Sequence, residues 1–157
     1  MTLFTSRLTI YLRIRRHWLS VRAIPQRGNP VQIAGMARVA LHQSDGGKAT
    51  LIGEEAAHIS ASSEISVYDA FCHPRVLIGS FDAAEIVVRE FLRRAYGDKK
   101  PWQKFRMVIH PQDDLEGGLT DIEERALQEL GLRLGAGNIA IHQGQAELSD
   151  SELAAMR

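Results

Sequence analysis

The run Leu8-Thr-Ile-Tyr-Leu-Arg-Ile-Arg-Arg-His-Trp-Leu-Ser-Val-Arg-Ala-Ile24 decides the fold. Leu8, Ile10, Leu12 and Ile14 alternate with Thr9, Tyr11, Arg13 and Arg15, a period of two that puts one apolar row on one face of a strand. The alternation resumes at Trp18, with Leu19, Val21 and Ala23 opposite Trp18, Ser20 and Arg22. Two such runs joined by Arg16-His17 predict an antiparallel hairpin with a tight polar turn, closed by Pro25, Gly28 and Pro30.

Beyond the hairpin a third strand is expected around Met36 to His42, and Asp45-Gly46-Gly47 reads as a turn into a fourth, Lys48 to Ile52. The first third is thus a β-meander. Glu54 to Ile59 reads as a short helix with acids in its first turn, and Ile65 to Tyr68 as a short strand. From Asp82 to Tyr96 the residues Ala84, Val87, Val88, Phe91, Leu92 and Ala95 share one helical face, and Gly97 stops the helix. Phe105 to Ile109 is an apolar strand ending at His110-Pro111. Thr120-Asp-Ile-Glu123 is a capping box, in which hydroxyl and carboxylate satisfy orphan amides reciprocally. It opens a helix whose buried face is expected to carry Ile122, Ala126, Leu127, Leu130 and Leu134, with Gly135 just past its end. Asn138 to His142 is the last strand. This order predicts an α/β domain: a mixed sheet with an N-terminal β-meander and packed helices. With no internal repeat and no Gly/Ser-rich linker, residues 1–157 read as one domain.

Composition bounds the function classes. At 157 residues, 45% hydrophobic and 24% charged, the chain builds a full core unaided, which excludes disorder and fibre. No apolar run approaches the roughly 18–20 residues that span a bilayer, and the start lacks a secretory apolar core, so a cytosolic location is expected. Cys72 is the single cysteine, which excludes an internal disulfide and a thiolate zinc cluster. Charge is zero in sum but uneven: residues 1–44 hold seven arginines and no acid. That asymmetry admits an anionic partner surface, or neutralisation within the fold.

No phosphate loop, dinucleotide fingerprint, hydrolase elbow or paired cysteine motif occurs. His110-Pro-Gln-Asp113-Asp114 offers metal-ligand chemistry at a strand end, against the plainer reading of a solvated turn. Cys72-His73 offers a thiolate–imidazole pair, against an incidental cysteine, because adjacent side chains seldom face one another. The most distinctive polar cluster is Arg13, Arg15 and Arg22 on outward hairpin positions with Arg16 in the turn, able to grip phosphates or carboxylates. The plainer reading is a solvated strand face whose long stems cover apolar surface. Tyr11 and Trp18 are the stacking partners nearby, thin support for nucleic acid.

From Ile52 to Gln143 the chain resembles the first subdomain of the MreB family, the rod shape-determining bacterial actin homologues. Ile52-Gly-Glu-Glu-Ala56 resembles the family's VGxEA segment, and Phe81-Asp-Ala-Ala-Glu85 resembles its entry into the next helix. Gly118-Leu-Thr-Asp-Ile-Glu-Glu-Arg-Ala-Leu127 through Leu134-Gly-Ala-Gly-Asn-Ile-Ala-Ile141 is similar to the family's GVTEVERRA…AGAREVYLI. The resemblance implies subdomain I of the actin-like, ribonuclease H-like fold, and a link to cell-shape or cytoskeletal machinery. It also implies that Gln143 stands where the family has its water-orienting residue. The family's Asp-x-Gly phosphate loop is replaced by Tyr11-Leu-Arg-Ile-Arg-Arg-His17, and arginine cannot give the close backbone approach of glycine or help hold magnesium as an acid does. The chain ends at Arg157, before a second phosphate loop.

The expectation is therefore a non-catalytic protein-interaction module with no cofactor and no metal. Arg13, Arg15, Arg16 and Arg22 are its contact residues, and Gln143 is a vestigial position. The expected partner is a protein, either an actin-homologue filament or a second copy, with the membrane surface as another anionic candidate that would place the chain at the inner membrane. Two alternatives stand beside it: a nucleotide-responsive ATPase-like subunit whose cleft a partner chain completes, and an anion- or nucleic-acid-binding module, whose affinity falls steeply with salt.

Overall fold

The computed structural model describes residues 8–46, 48–97, 104–113 and 115–156. Gly47 of the expected turn, Arg7, Asp114 and Arg157 lie outside them. In chain order the elements are β1 (Leu8–Arg15), β2 (Trp18–Pro25), β3 (Val31–Met36), β4 (Arg38–His42), β5 (Lys48–Ile52), β6 (Ile65–Asp69), α1 (Phe81–Tyr96), β7 (Phe105–Pro111), α2 (Asp121–Arg133), β8 (Ala136–Ile141) and α3 (Asp150–Ala155).

The hairpin forms in the register its alternation predicts, with Arg15 opposite Trp18 and Leu8 opposite Pro25. His17 closes the turn at φ 61, the left-handed conformation such a tight connection demands. β3 adds antiparallel to β2, and β7 and β8 add parallel on the other side of β1, giving the order β3-β2-β1-β7-β8. This is the expected mixed sheet.

The meander, however, is broken. The strand expected at Met36 to His42 is β4, which leaves for a second sheet of order β5-β4-β6, and β3, a strand the sequence reading did not expect, stays with the hairpin. Ala37 is the joint: fully buried, it donates its N–H to the His17 carbonyl (2.9 Å), and its carbonyl accepts from Ala70 N–H (2.8 Å). The expected helix at 54–59 is a single 3-10 turn, Gly53–Ala56, whose Glu54 carboxylate accepts from Met36 N–H (3.2 Å) and so serves the sheet switch.

α1 and α2 pack on one face of the five-stranded sheet. Ile10, Leu12, Ile14, Leu19, Val21, Met107 and Ile109 meet Val87, Val88, Phe91, Leu92, Leu127 and Leu130 there. α2 begins with the predicted capping box, Thr120 with Glu123, and ends at Leu134 before Gly135 at φ 102. Ile122, expected inside, is 80% exposed, because the buried residues of the helix start only at Leu127. Gly131 lets that stretch lie close on β8, since a Cβ there would sit 2.7 Å from Ile139 Cδ1.

The other face corrects the sequence reading most. The polar row of the hairpin is covered at its centre: Tyr11 is 1% and Arg13 is 7% exposed, while Arg15 at its end stays in solvent. Tyr11 and Val108 form a second apolar cluster with Ile24 and Ala140, and the C-terminal segment covers it with Leu148, Leu153 and Met156. Residues 142–149 run there without helix or strand and lead into α3, which opens with a second capping box, Ser149 with Glu152.

Candidate functional site

The hairpin arginines lie on or beside this covered face, and strand parity decides which. Tyr11 and Arg13 on β1 share a face with Trp18, Ser20 and Arg22 on β2 and with Arg106, Val108 and His110 on β7. Polar contacts along its length hold the C-terminal segment to it. Arg13 Nη1 donates to Glu147 Oε2 (2.8 Å), Arg22 Nη2 to Asp150 Oδ2 (2.9 Å), Arg106 Nη1 to the Leu153 carbonyl (2.9 Å), and Leu148 N–H to Tyr11 Oη (3.0 Å). Arg13 also lies over the Trp18 ring, 5.4 Å from its centroid. The cation is thus enclosed by an aromatic face and a carboxylate, a setting that strengthens both contacts.

Beneath the segment is a buried relay. His110 is fully buried, and its Nε2 lies 2.7 Å from the Gly144 carbonyl while its Nδ1 lies 2.6 Å from Tyr11 Oη. A carbonyl only accepts, so Nε2 carries the proton, Nδ1 accepts from the Tyr11 hydroxyl, and the ring is neutral. Burial holds His110 below the ordinary histidine value, against the opposing hydrogen bond to Gly144, and the nearby His142, Arg13 and Arg15 push the same way as burial. Burial likewise raises the Tyr11 phenol, opposed by the Leu148 hydrogen bond. Both groups are therefore uncharged at neutral pH, which makes this an assembly for holding the segment. The sequence singled out His110 as a metal-ligand candidate and Tyr11 as a stacking partner, but not their pairing; parity already puts Tyr11 on the face of Arg13.

The four arginines divide. Arg13 and Arg22 face the segment. Arg15 and Arg16 stand exposed at the hairpin tip, where Arg15 Nε donates to Gln112 Oε1 (3.2 Å) and Arg16 N–H to Asp113 Oδ2 (2.5 Å). Gln112 in turn donates to the Gln145 carbonyl (3.2 Å), linking the tip to the segment. The expectation that Arg13 points outward is overturned, and so is Tyr11 as a stacking platform. Gln143 caps the loop before α2 by accepting from Leu119 N–H (3.2 Å). It borders a cleft of about 110 Å³ with Pro111, Asp113 and Leu119.

His110, with both ring nitrogens engaged, is not placed to ligate a metal. Among the described residues no group of three or more His, Cys, Asp or Glu could hold one. Cys72 is half-buried, and His73 Nδ1 accepts from Arg75 N–H (3.2 Å) in a local turn. A wider cleft of about 870 Å³ runs along α1, lined by Leu41, Ile52, Ile86 and Tyr96. Several of its rim charges are paired, within α1 and, from Glu85, with Arg133 of α2 (2.8 Å). Arg89 pairs with Glu85 (2.9 Å), and Arg93 with Arg94 holds Glu90 down to about 2.

No protein-family model matches the chain. The uncharacterized protein YjaA of Escherichia coli (strain K12) is 30% identical over 106 residues, spanning 62% of this chain and 84% of YjaA. The chain belongs to the YjaA family. In three dimensions this YjaA-family chain is similar to MreB5 of Spiroplasma citri bound to AMPPNP, with a TM-score of 0.66 and 16% identity. The ADP-bound form of MreB5 gives 0.64 and 17%, and a non-polymerising mutant of MamK bound to AMPPNP gives 0.63 and 12%. These likenesses show that the YjaA-family chain has the actin-like fold over 87–88% of its length. It spans 38% of MreB5 and 41% of the MamK chain. No helix among the described residues is long and apolar enough to cross a membrane.

Proposed function

We propose that this YjaA-family chain is a non-catalytic protein-interaction module built on the first subdomain of an MreB-like actin fold, serving bacterial cytoskeletal or cell-shape machinery. The observation that carries the reading is the pairing of buried Arg13 with Glu147: on the strand that the resemblance sets against the family's phosphate loop, the cation is used to hold a peptide segment. The hairpin tip points the same way. Arg16 N–H, which would have to turn towards a phosphate, is given to Asp113, and the cleft beside Gln143, at about 110 Å³, falls well short of the roughly 300 Å³ at which small-molecule sites begin. Arg15 and Arg16 remain exposed for a partner, and an actin-homologue filament is the one that the fold favours.

Co-sedimentation with purified filaments of an MreB-type protein tests the partner. The chain is expected in the pellet, and an Arg15→Glu/Arg16→Glu variant in the supernatant. A chain that stays in the supernatant at every filament concentration overturns the partner, and magnesium-dependent binding of ATP overturns the non-catalytic reading.

A further inference from the structure

The cover over the outer sheet face is a ligand supplied by the chain itself, and its contacts spell out what that face recognises. Two guanidinium groups meet two carboxylates, Arg13 with Glu147 and Arg22 with Asp150. A phenol hydroxyl meets the backbone N–H of Leu148, and a third guanidinium meets the backbone carbonyl of Leu153. Leu153 packs with Tyr11 and Val108 and is 1% exposed, and the partly buried Leu148 and Met156 pack against the same cluster. Glu152 makes no contact with the sheet among these. It accepts from Ser149 N–H and hydroxyl, which hold its carboxyl below the usual range and fix the helical turn that presents Leu153.

We propose that the face formed by Tyr11, Arg13, Arg22, Arg106 and Val108 is a docking surface for an acidic, serine-capped helical segment of a partner protein, and that residues 143–156 occupy it until the partner arrives. The inference rests on the reading of the chain as an interaction module and names the chemistry of one partner.

The two sides of this contact differ in how firmly they are built. The receiving residues sit on three adjacent strands, β2, β1 and β7, fixed by full ladders of backbone hydrogen bonds. The occupant is a six-residue helix, too short to persist alone, on a tether over 142–149 that has no helix or strand of its own. Its two acids are half-exposed, at 51% each, so water already competes for them. A segment of this kind belongs to the low-stability end of a structure, where local opening precedes global unfolding. The occupant also leaves the face incompletely used. Arg22 Nε is shielded from solvent and has no hydrogen-bond partner among the described residues, so an occupant with a better placed carboxylate gains a contact the tethered segment does not make. Recognition of a short amphipathic helix through one apolar anchor and flanking charges is a recurring mode of peptide binding.

The test uses the full chain and a fluorescent peptide of its own residues 143–157, followed by anisotropy. In the unaltered chain the tethered copy competes at an effective concentration of about millimolar, so the free peptide binds weakly. Leu153→Ala in the chain removes the tethered anchor and is expected to tighten peptide binding about tenfold or more, a gain lost when Arg13→Ala is added. Asp150→Asn, at a half-exposed position that does not endanger folding, is expected to tighten it about threefold. Unchanged peptide affinity in both variants, or equal binding of a scrambled peptide, overturns the proposal. Failure of the broader reading would look different: nucleotide binding by the same preparation sinks the interaction module whatever the peptide does. A sample that binds neither nucleotide nor peptide sinks only this inference.

Discussion

Removing one oxygen atom should unfasten the outer face. In Tyr11→Phe the ring stays and keeps its packing against Leu153, but the hydroxyl that links Leu148 to His110 is gone. Two groups then lose their partner: Nδ1 of a fully buried imidazole and a partly buried backbone N–H. At about 1–3 kcal/mol for each group left unsatisfied, with the lower end for Leu148 because water reaches it more easily, the cost is about 2–4 kcal/mol. Against a total stability of about 5–15 kcal/mol that is a large fraction. With a urea slope of roughly 2 kcal/mol per molar, the unfolding midpoint drops by about 1–2 M at unchanged slope. Urea unfolding followed by far-ultraviolet circular dichroism reads it. A double-mutant cycle with His110→Phe is expected to show coupling of about 1 kcal/mol or more, because both substitutions break the same bond. A midpoint shift below about 0.25 M, or additivity of the two changes within about 0.3 kcal/mol, would refute the relay.

The same histidine makes stability depend on pH. Its folded pKa lies below 6.5, so as pH falls through about 6.5 the unfolded chain takes up this proton while the folded ring resists; stability is full above that value and declines below it. Urea midpoints between about pH 8 and pH 5 should fall on the acid side, with a smaller fall in His110→Phe; equal slopes in both proteins would contradict the assignment. Arg13→Ala should lower the melting temperature by about 4–8 °C and Arg22→Ala by less than about 3 °C, since the first side chain is 8% and the second 30% exposed. Equal losses would mean that burial of Arg13 adds nothing. At the start of α2, Thr120→Ala should cost about 1 kcal/mol of stability. Glu123→Ala should cost more than Glu123→Gln, because its carboxylate also accepts from Leu77 N–H (3.0 Å) and a carboxamide can replace that acceptor.

The sequence was most informative where a local pattern also fixes the tertiary partner. Alternation over Leu8 to Ile24 fixes both the hairpin and its core face, and Thr120 with Glu123 fixes the start of α2, because a capping box is complete within four residues. The departure of β4 to a second sheet was not legible, since it turns on two long-range hydrogen bonds of Ala37, a residue without a distinctive side chain. The buried state of Arg13 was hidden for a related reason: a period of two separates two faces but does not say that the second is also covered. What covers it lies more than 130 positions away, in Glu147 and Leu148, and the acids there read as an ordinary polar stretch until Tyr11 and Val108 present an apolar surface to them. The candidate site was thus half legible. Its arginines were legible in the sequence, and Tyr11 and His110 stood there for other roles, stacking and metal ligation; their pairing and the segment they hold emerge only from the packing.

Isothermal calorimetry with magnesium and ATP, on the full chain with its mass in solution checked by light scattering, tests the central claim most directly. A folded sample is expected to give no heat beyond dilution, because Arg13 is committed to Glu147 and Arg16 N–H to Asp113. Saturable, magnesium-dependent binding would contradict the account, and would mean that the arginine hairpin serves as a phosphate site.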